Sequence, residues 1–124
     1  MIKPVILSED GYNQEASEAA VFEQSINAQT GTSYTLSSAD AAKFVTLSNA
    51  GSITLTVPPN SSDAIPVGTG IDIAQFGAGQ VTVTPGSGVT VYSESGLKLR
   101  AQYSGATLRK VNTDTWIIFG GLTT

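Results

Sequence analysis

The stretch TLTVPPNSSDAIPVGTGIDIAQFGAGQVTVTP, residues 54–85, contains three short strand-like runs separated by turns rich in proline, serine and glycine. In the first run, ITLTV at 53–57, apolar residues alternate with threonines, which predicts a strand with one buried face. Asp63 and Asp72 are the only charged residues of the stretch. The stretch therefore predicts a β scaffold and offers little acid–base chemistry.

The same pattern continues on both sides of this stretch. Further strand-like runs are predicted at Ser33–Leu36, Phe44–Leu47, Ile71–Phe76, Gln80–Thr84, Val89–Tyr92, Leu97–Arg100, Ala106–Val111 and Trp116–Phe119. Gly77-Ala78-Gly79 predicts a hairpin, and the capping-box pattern from Ser37 to Asp40 predicts one helical turn over 40–42. Regularly spaced short strands are typical of a small all-β protein, here predicted to be an antiparallel sandwich or barrel with an N-terminal arm.

The negative charge of the chain is concentrated at its N-terminus. Residues 1–29 carry five acids against Lys3 alone, whereas acids and bases balance over residues 30–124. This asymmetry predicts two regions: an acidic arm (1–29) and an all-β domain (30–124). Within the arm, Pro4–Leu7 is a candidate strand, and Asn13–Gln24 is either a short helix or an extended segment that orders on a partner. Val5–Leu7 is too short for a signal sequence or a membrane span.

Several classes of site are disfavoured by composition. The chain has no histidine and no cysteine, so the commonest metal ligands and the usual general base are missing, and we expect no metal, no cofactor and no enzymatic activity. Ser95-x-x-Lys98 has the spacing of a Ser–Lys pair but falls in a turn before a strand. The acids of the β region are Asp40, Asp63, Asp72, Glu94 and Asp114. They are scattered over different turns and strands, so the sequence does not indicate a pair of facing carboxylates for glycoside hydrolysis. The sequence also has no basic stripe that could neutralise the phosphates of a nucleic acid.

Some side chains are candidates for contacts between subunits. Four of the six bases, Lys98, Arg100, Arg109 and Lys110, fall on predicted neighbouring strands and form either a docking patch or a solvated face. Trp116 is interpreted as a core residue, with an interface anchor as the alternative. Asp72 should face away from its isoleucine neighbours, where it pairs with a base or lies at a subunit contact.

The β region resembles a small domain found in tailed-bacteriophage virion proteins. The segments that carry the resemblance, in order, are YTLSSADAAKFVTLSNA (34–50), TVPPNSS, IPVGT, FGAGQVTV, GSGVTV, KLRAQYSGATLRKV and TWIIFGGL. The resemblance covers about residues 32–122 and implies a non-enzymatic component of a capsid or tail surface, very often a homotrimer. Residues 1–29 lie outside it.

The resemblance leaves two locations open. Without a long shaft or attachment domain, the 124 residues favour a head decoration (minor capsid) protein, assembled in the host cytoplasm, whose partners are the major capsid protein and its own copies. The arm residues Val5, Ile6, Leu7 and Phe22 would then carry attachment. The alternative is a tail-tip or tail-fibre protein contacting a receptor through the loops Asn60–Asp63 and Tyr92–Ser95. A second alternative function is that of a small carbohydrate-active enzyme.

Overall fold

A computed structural model describes residues 24–124. The predicted strand at Pro4–Leu7, the predicted helix that would begin at Asn13, and the attachment residues named above lie outside the described residues. The described chain contains eleven strands, a 3-10 helix and no α-helix. The strands are β1 (Ile26–Gln29), β2 (Ser33–Thr35), β3 (Phe44–Leu47), β4 (Ile53–Val57), β5 (Gly70–Gln75), β6 (Val81–Pro85), β7 (Thr90–Tyr92), β8 (Lys98–Leu99), β9 (Gly105–Asn112), β10 (Thr115–Gly120) and β11 (Leu122–Thr123).

The strands form two sheets. The six-stranded sheet has the order β1-β3-β5-β9-β10-β7, and the five-stranded sheet has the order β11-β8-β6-β4-β2. From β1 to β6 the chain alternates between the sheets, and each strand stacks parallel on the one two places earlier. This gives three coils of a solenoid-like arrangement. β8 and β9 then add antiparallel to β6 and β5.

This topology confirms the all-β prediction and corrects two details of it. The hairpin predicted at Gly77-Ala78-Gly79 is wrong, because β5 and β6 on either side of it belong to different sheets. The expected antiparallel arrangement holds for β9 and β10, whereas the first six strands pair in parallel. Alternating apolar residues show which face of a strand is buried but not which strand it pairs with, so both errors have one cause.

One hydrophobic core joins the two sheets. The six-stranded sheet contributes side chains such as Val45 and Leu108, and the five-stranded sheet contributes Leu55 and Val83, all fully buried. The alternation read from residues 53–57 is observed, with Ile53, Leu55 and Val57 buried. Because each sheet buries one face only, the outer faces are left to solvent or to a partner.

Two local features differ slightly from expectation. The capping box is present, with both reciprocal hydrogen bonds between Ser37 and Asp40, but the 3-10 helix spans Ser38–Asp40 and so begins two residues earlier than predicted. Residues 26–29, assigned to the arm from charge, form β1 and pair with β3. The segment preceding the sheets therefore ends before Ile26.

Candidate functional site: the outer faces of the two sheets

The outer face of the five-stranded sheet is rich in hydroxyl groups. Outward-facing residues lie opposite one another across neighbouring strands in two rows. One row is Ser33, Thr54, Thr82, Lys98 and Thr123, and the other is Thr35, Thr56 and Thr84. Such a face can hydrogen-bond to water without any partner protein.

The outer face of the six-stranded sheet is apolar and rich in aromatic rings. In one row across four strands, Phe44, Asp72, Thr107 and Phe119 lie opposite one another. The exposed large apolar side chains on or beside this face are Ile26, Phe76, Tyr92, Tyr103, Val111, Ile117 and Phe119. Several exposed large apolar side chains on one face of a sheet are typical of an interaction site. We call it the aromatic face.

A groove lies at the centre of the aromatic face. Its volume is about 640 Å³, and it is lined by Gln24, Phe44, Asp72, Ile73, Ala74, Phe76, Tyr103, Gly105, Ala106, Thr107, Phe119 and Gly120. Three rings stand edge-to-face along it, with centroids 6.4 Å apart for Phe44 and Phe76 and 5.8 Å apart for Phe76 and Tyr103. The small residues Ala74 and Gly105, paired across β5 and β9, form part of its floor.

Hydrogen bonds fix the backbone that carries two of the exposed aromatic rings, Phe76 and Tyr103. Tyr103, 72% exposed, has a φ of 70°, an unusual value for a bulky residue. Its N–H donates to the carbonyl of Gln75 (2.6 Å), and Gln102 Nε2 donates to the carbonyl of Phe76 (3.0 Å). Phe76 N–H in turn donates to Leu47 (2.7 Å). A partner would meet rings that are already positioned, which lowers the entropic cost of binding.

Asp72 supplies the polar centre of the groove. As predicted, it faces away from its isoleucine neighbours, but its partners are neutral: Gln24 Nε2 donates to Oδ2 (3.0 Å) and Thr107 Oγ1 donates to Oδ1 (2.7 Å). Gln24 Nε2 also reaches the carbonyl of Ala42 at 3.3 Å. Within residues 24–124, Asp72 therefore does not form the predicted pair with a lysine or arginine.

The four bases predicted to form one patch are separated in the structure. Lys98 lies on the outer face of the five-stranded sheet, and Arg100 is exposed just after β8. Arg109 lies on the other sheet, where Nη1 donates to the carbonyl of Gly68 (2.8 Å). Lys110 is buried between the sheets, at 2% exposure. The docking-patch hypothesis assumed that these strands were neighbours, and the two-sheet topology removes that basis.

Trp116 lies in the hydrophobic core, as predicted. The ring is 1% exposed, and its Nε1 has no hydrogen-bond partner among residues 24–124. A side chain enclosed to this degree does not face a second subunit, so the alternative role as an interface anchor does not fit its position. The exposed rings of Phe76, Tyr103 and Phe119 are not among the predicted site residues, although the alternation of Phe119 with the buried Ile118 indicates that Phe119 faces outward.

Two of the other acids, Asp40 and Asp63, serve local structure. Asp40 is buried and accepts hydrogen bonds from Tyr34 Oη (2.7 Å), Asn27 Nδ2 (2.8 Å) and the N–H of Ser37 (3.0 Å). Burial, together with the adjacent Asp40 carboxylate, raises the pKa of Tyr34 above 10.0. Asp63 accepts a hydrogen bond from the N–H of Ser38 (2.9 Å). These carboxylates stabilise turns and do not face one another across a cleft.

No cluster of three or more potential metal ligands occurs between residues 24 and 124. No helix in that part of the chain is long and apolar enough to cross a membrane. Neither a protein-family model nor a curated protein matches the chain.

Proposed function

We propose that this chain is a non-enzymatic structural protein of a bacteriophage virion, a head decoration protein that assembles as a homotrimer and binds the capsid surface. The observation that carries the proposal is the contrast between the two outer faces. One presents hydroxyl groups to water, and the other presents ordered aromatic rings. A protein with one wet and one apolar face suits a position on the surface of a larger assembly.

The aromatic face is the surface that we assign to contacts between copies. Aromatic residues are enriched in the buried centres of interfaces, and a few such anchors supply most of the binding energy. Phe76 and Phe119 are exposed on the same face and line the same groove. Around a threefold axis, three aromatic faces would exclude water from each other and leave the threonine-rich faces outermost.

The N-terminal segment is the part that we assign to capsid attachment. Residues 1–23 contain all the net negative charge of the chain, and Gln24, where the described chain begins, lies at the edge of the groove. Three segments on one trimer would bind together, so modest individual affinities would combine through avidity. Binding to the assembled shell and not to free capsid subunits would stabilise the shell by mass action.

The test is co-sedimentation of the purified protein with capsids that lack it. The full chain should pellet with capsids, and a chain lacking residues 1–23 should stay in the supernatant while keeping the same oligomeric state. The deletion stops at residue 23 because residues 26–29 form β1. Capsid binding that survives this deletion would refute the role given to the segment.

A second candidate function is receptor binding at a tail tip, and the groove is the observation that favours it. Saccharides bind to aromatic rings flanked by carboxylate, amide and hydroxyl groups, and Asp72, Gln24 and Thr107 lie beside Phe44 and Phe76. The predicted receptor loops fit less well, since Asn60 is tied to Lys110 and Ser93 caps its own turn. Adsorption of the purified protein to host cells, with competition against infection, would favour this candidate over decoration.

A further inference from the structure

Lys110 and Asn60 form a contact that the proposed function does not use. Lys110 Nζ lies 2.8 Å from Asn60 Oδ1 and 2.7 Å from the carbonyl oxygen of Ile65. Lys110 is 2% exposed, and both of these acceptors are neutral amide oxygens. Lysine is almost never buried to this degree without a paired charge. A buried lysine held against a side-chain amide therefore calls for an explanation.

The surroundings of this contact are apolar and ordered. On β9, Lys110 shares its inward face with Leu108, and it lies opposite the buried Trp116 on β10. Its backbone is fixed on both sides, because its N–H donates to Thr69 (3.0 Å) and its carbonyl accepts from Gly68 (2.8 Å). The amine is thus shielded from water and held by the sheet and by the loop that precedes β5.

The loop that carries Asn60 is also held in place. The N–H of Asn60 donates to Asp114 Oδ1 (2.8 Å), which brings a carboxylate to the same residue. Ser62 and Asp63 both donate backbone hydrogen bonds to the carbonyl of Pro59. Asn60 therefore lies between an amine, which its side chain touches, and a carboxylate, which its backbone touches.

We propose that Lys110 and Asn60 become joined by an isopeptide bond inside the folded protein. In the reacting form, in which Nζ carries a free lone pair, Nζ attacks Cγ of Asn60, one bond away from the Oδ1 that Nζ contacts at 2.8 Å. The new Nζ–Cγ bond replaces the Cγ–Nδ2 bond. Nζ loses one proton, Nδ2 gains one, and Nδ2 leaves as ammonia. We assign this proton transfer to Asp114, the carboxylate whose Oδ1 accepts a hydrogen bond from the backbone N–H of Asn60 (2.8 Å). One amine and one primary amide give one secondary amide and one ammonia, with no oxidant or cofactor.

Positioning is what makes this reaction feasible. Amides resist amines in solution, but well-oriented intramolecular groups react as if the partner were present at about 10⁵–10⁸ M. The contact joins residues 50 positions apart. The bond would tie the 58–66 loop to β9 and would restrict the unfolded chain as a disulfide does, in a protein that has no cysteine. Such a lock would suit a protein exposed on the outside of a particle.

The test is the mass of the full-length chain, measured under denaturing conditions. The wild-type chain should be lighter than its sequence mass by one ammonia molecule, and proteolysis should release a branched peptide joining residues 60 and 110. Lys110→Met should restore the full mass, and Asn60→Asp should lose one water molecule instead. Lys98→Arg, which changes an exposed lysine, is the matched control and should keep the ammonia loss.

Asp114 needs a separate readout because it acts through Asn60. Asp114→Asn should lower the linked fraction in a chain that remains folded by circular dichroism, and Asp114→Glu should restore it. A wild-type chain of full mass would overturn the proposal and leave a non-covalent clamp. Loss of ammonia without the 60–110 branched peptide would also overturn it, because a cyclic imide at Asn60 would account for that mass.

Discussion

At the scale of single residues, Arg109 and Lys110 are neighbours in sequence but lie on opposite sides of β9. Grouping them by charge predicted a shared patch, whereas the strand places Lys110 with Ala106 and Leu108 and turns Arg109 outward. Side chains alternate between the two faces of a strand, so Lys110, two residues after Leu108, could have been predicted to lie on the buried face. What no local pattern shows is the acceptor, Asn60, which comes from a loop 50 residues away.

The hydrogen bond between Tyr34 and Asp40 leads to a pH-dependent prediction. Tyr34 has a raised pKa in the folded state, so it stays protonated where an unfolded tyrosine, with a pKa of 10.0, ionises. The folded state then binds more protons than the unfolded state, and stability falls as the pH rises through and above 10.0. Tyr34→Phe should cost about 1 kcal/mol at neutral pH and should reduce this alkaline loss.

Urea unfolding of the wild type and of Tyr34→Phe, on both sides of the ordinary tyrosine pKa, measures this difference. Parallel pH profiles for the wild type and Tyr34→Phe would contradict the assignment.

At the scale of elements, strand positions could be read from sequence better than strand partners. The predicted runs at Phe44–Leu47 and 53–57 coincide with β3 and β4 because alternation and prolines delimit them. β1 and β11 were not predicted, since their sequences INAQ and LT have no clear alternation. The parallel coils could not be predicted at all, because they depend on the packing of strands 18 to 28 residues apart.

The turn between β5 and β6 yields a prediction about the coil geometry. A Cβ on Gly79 would lie 1.8 Å from the carbonyl oxygen of Gly51, in the turn of the preceding coil. Gly79→Ala must push two turns apart and should cost about 3 kcal/mol. Gly31→Ala is the matched control, since the nearest atom to its Cβ would be 3.8 Å away, and it should change stability by less than about 0.5 kcal/mol.

Denaturant midpoints of the two glycine variants give the comparison directly. Equal stabilities would mean that the turns of successive coils are not packed against each other. That result would count against the solenoid-like stacking itself and not only against one contact.

At the scale of the whole molecule, the aromatic face predicts how copies associate. Replacing Phe76 and Phe119 by serine removes two exposed rings without touching the core, so the fold should persist while the oligomer weakens. A central aromatic anchor contributes about 2 kcal/mol or more to an interface, so the loss of two anchors, about 4 kcal/mol, should raise the dissociation constant roughly 700-fold.

Sedimentation equilibrium of the wild type and the double variant measures this effect. Val67→Ser removes an exposed apolar side chain that does not line the groove and should leave the oligomer intact. A wild type that stays monomeric at high concentration, or a double variant that assembles as well as the wild type, would refute the interface.

The proposed location on the head of a phage particle is tested most directly by the copy number of this chain per particle. Quantitative mass spectrometry of purified virions gives the ratio of this chain to the major capsid protein. The decoration proposal predicts a fixed ratio comparable to the number of capsomer junctions, with three copies at each junction. A few copies per particle would instead place the chain on the tail, and its absence from purified particles would contradict the account as a whole.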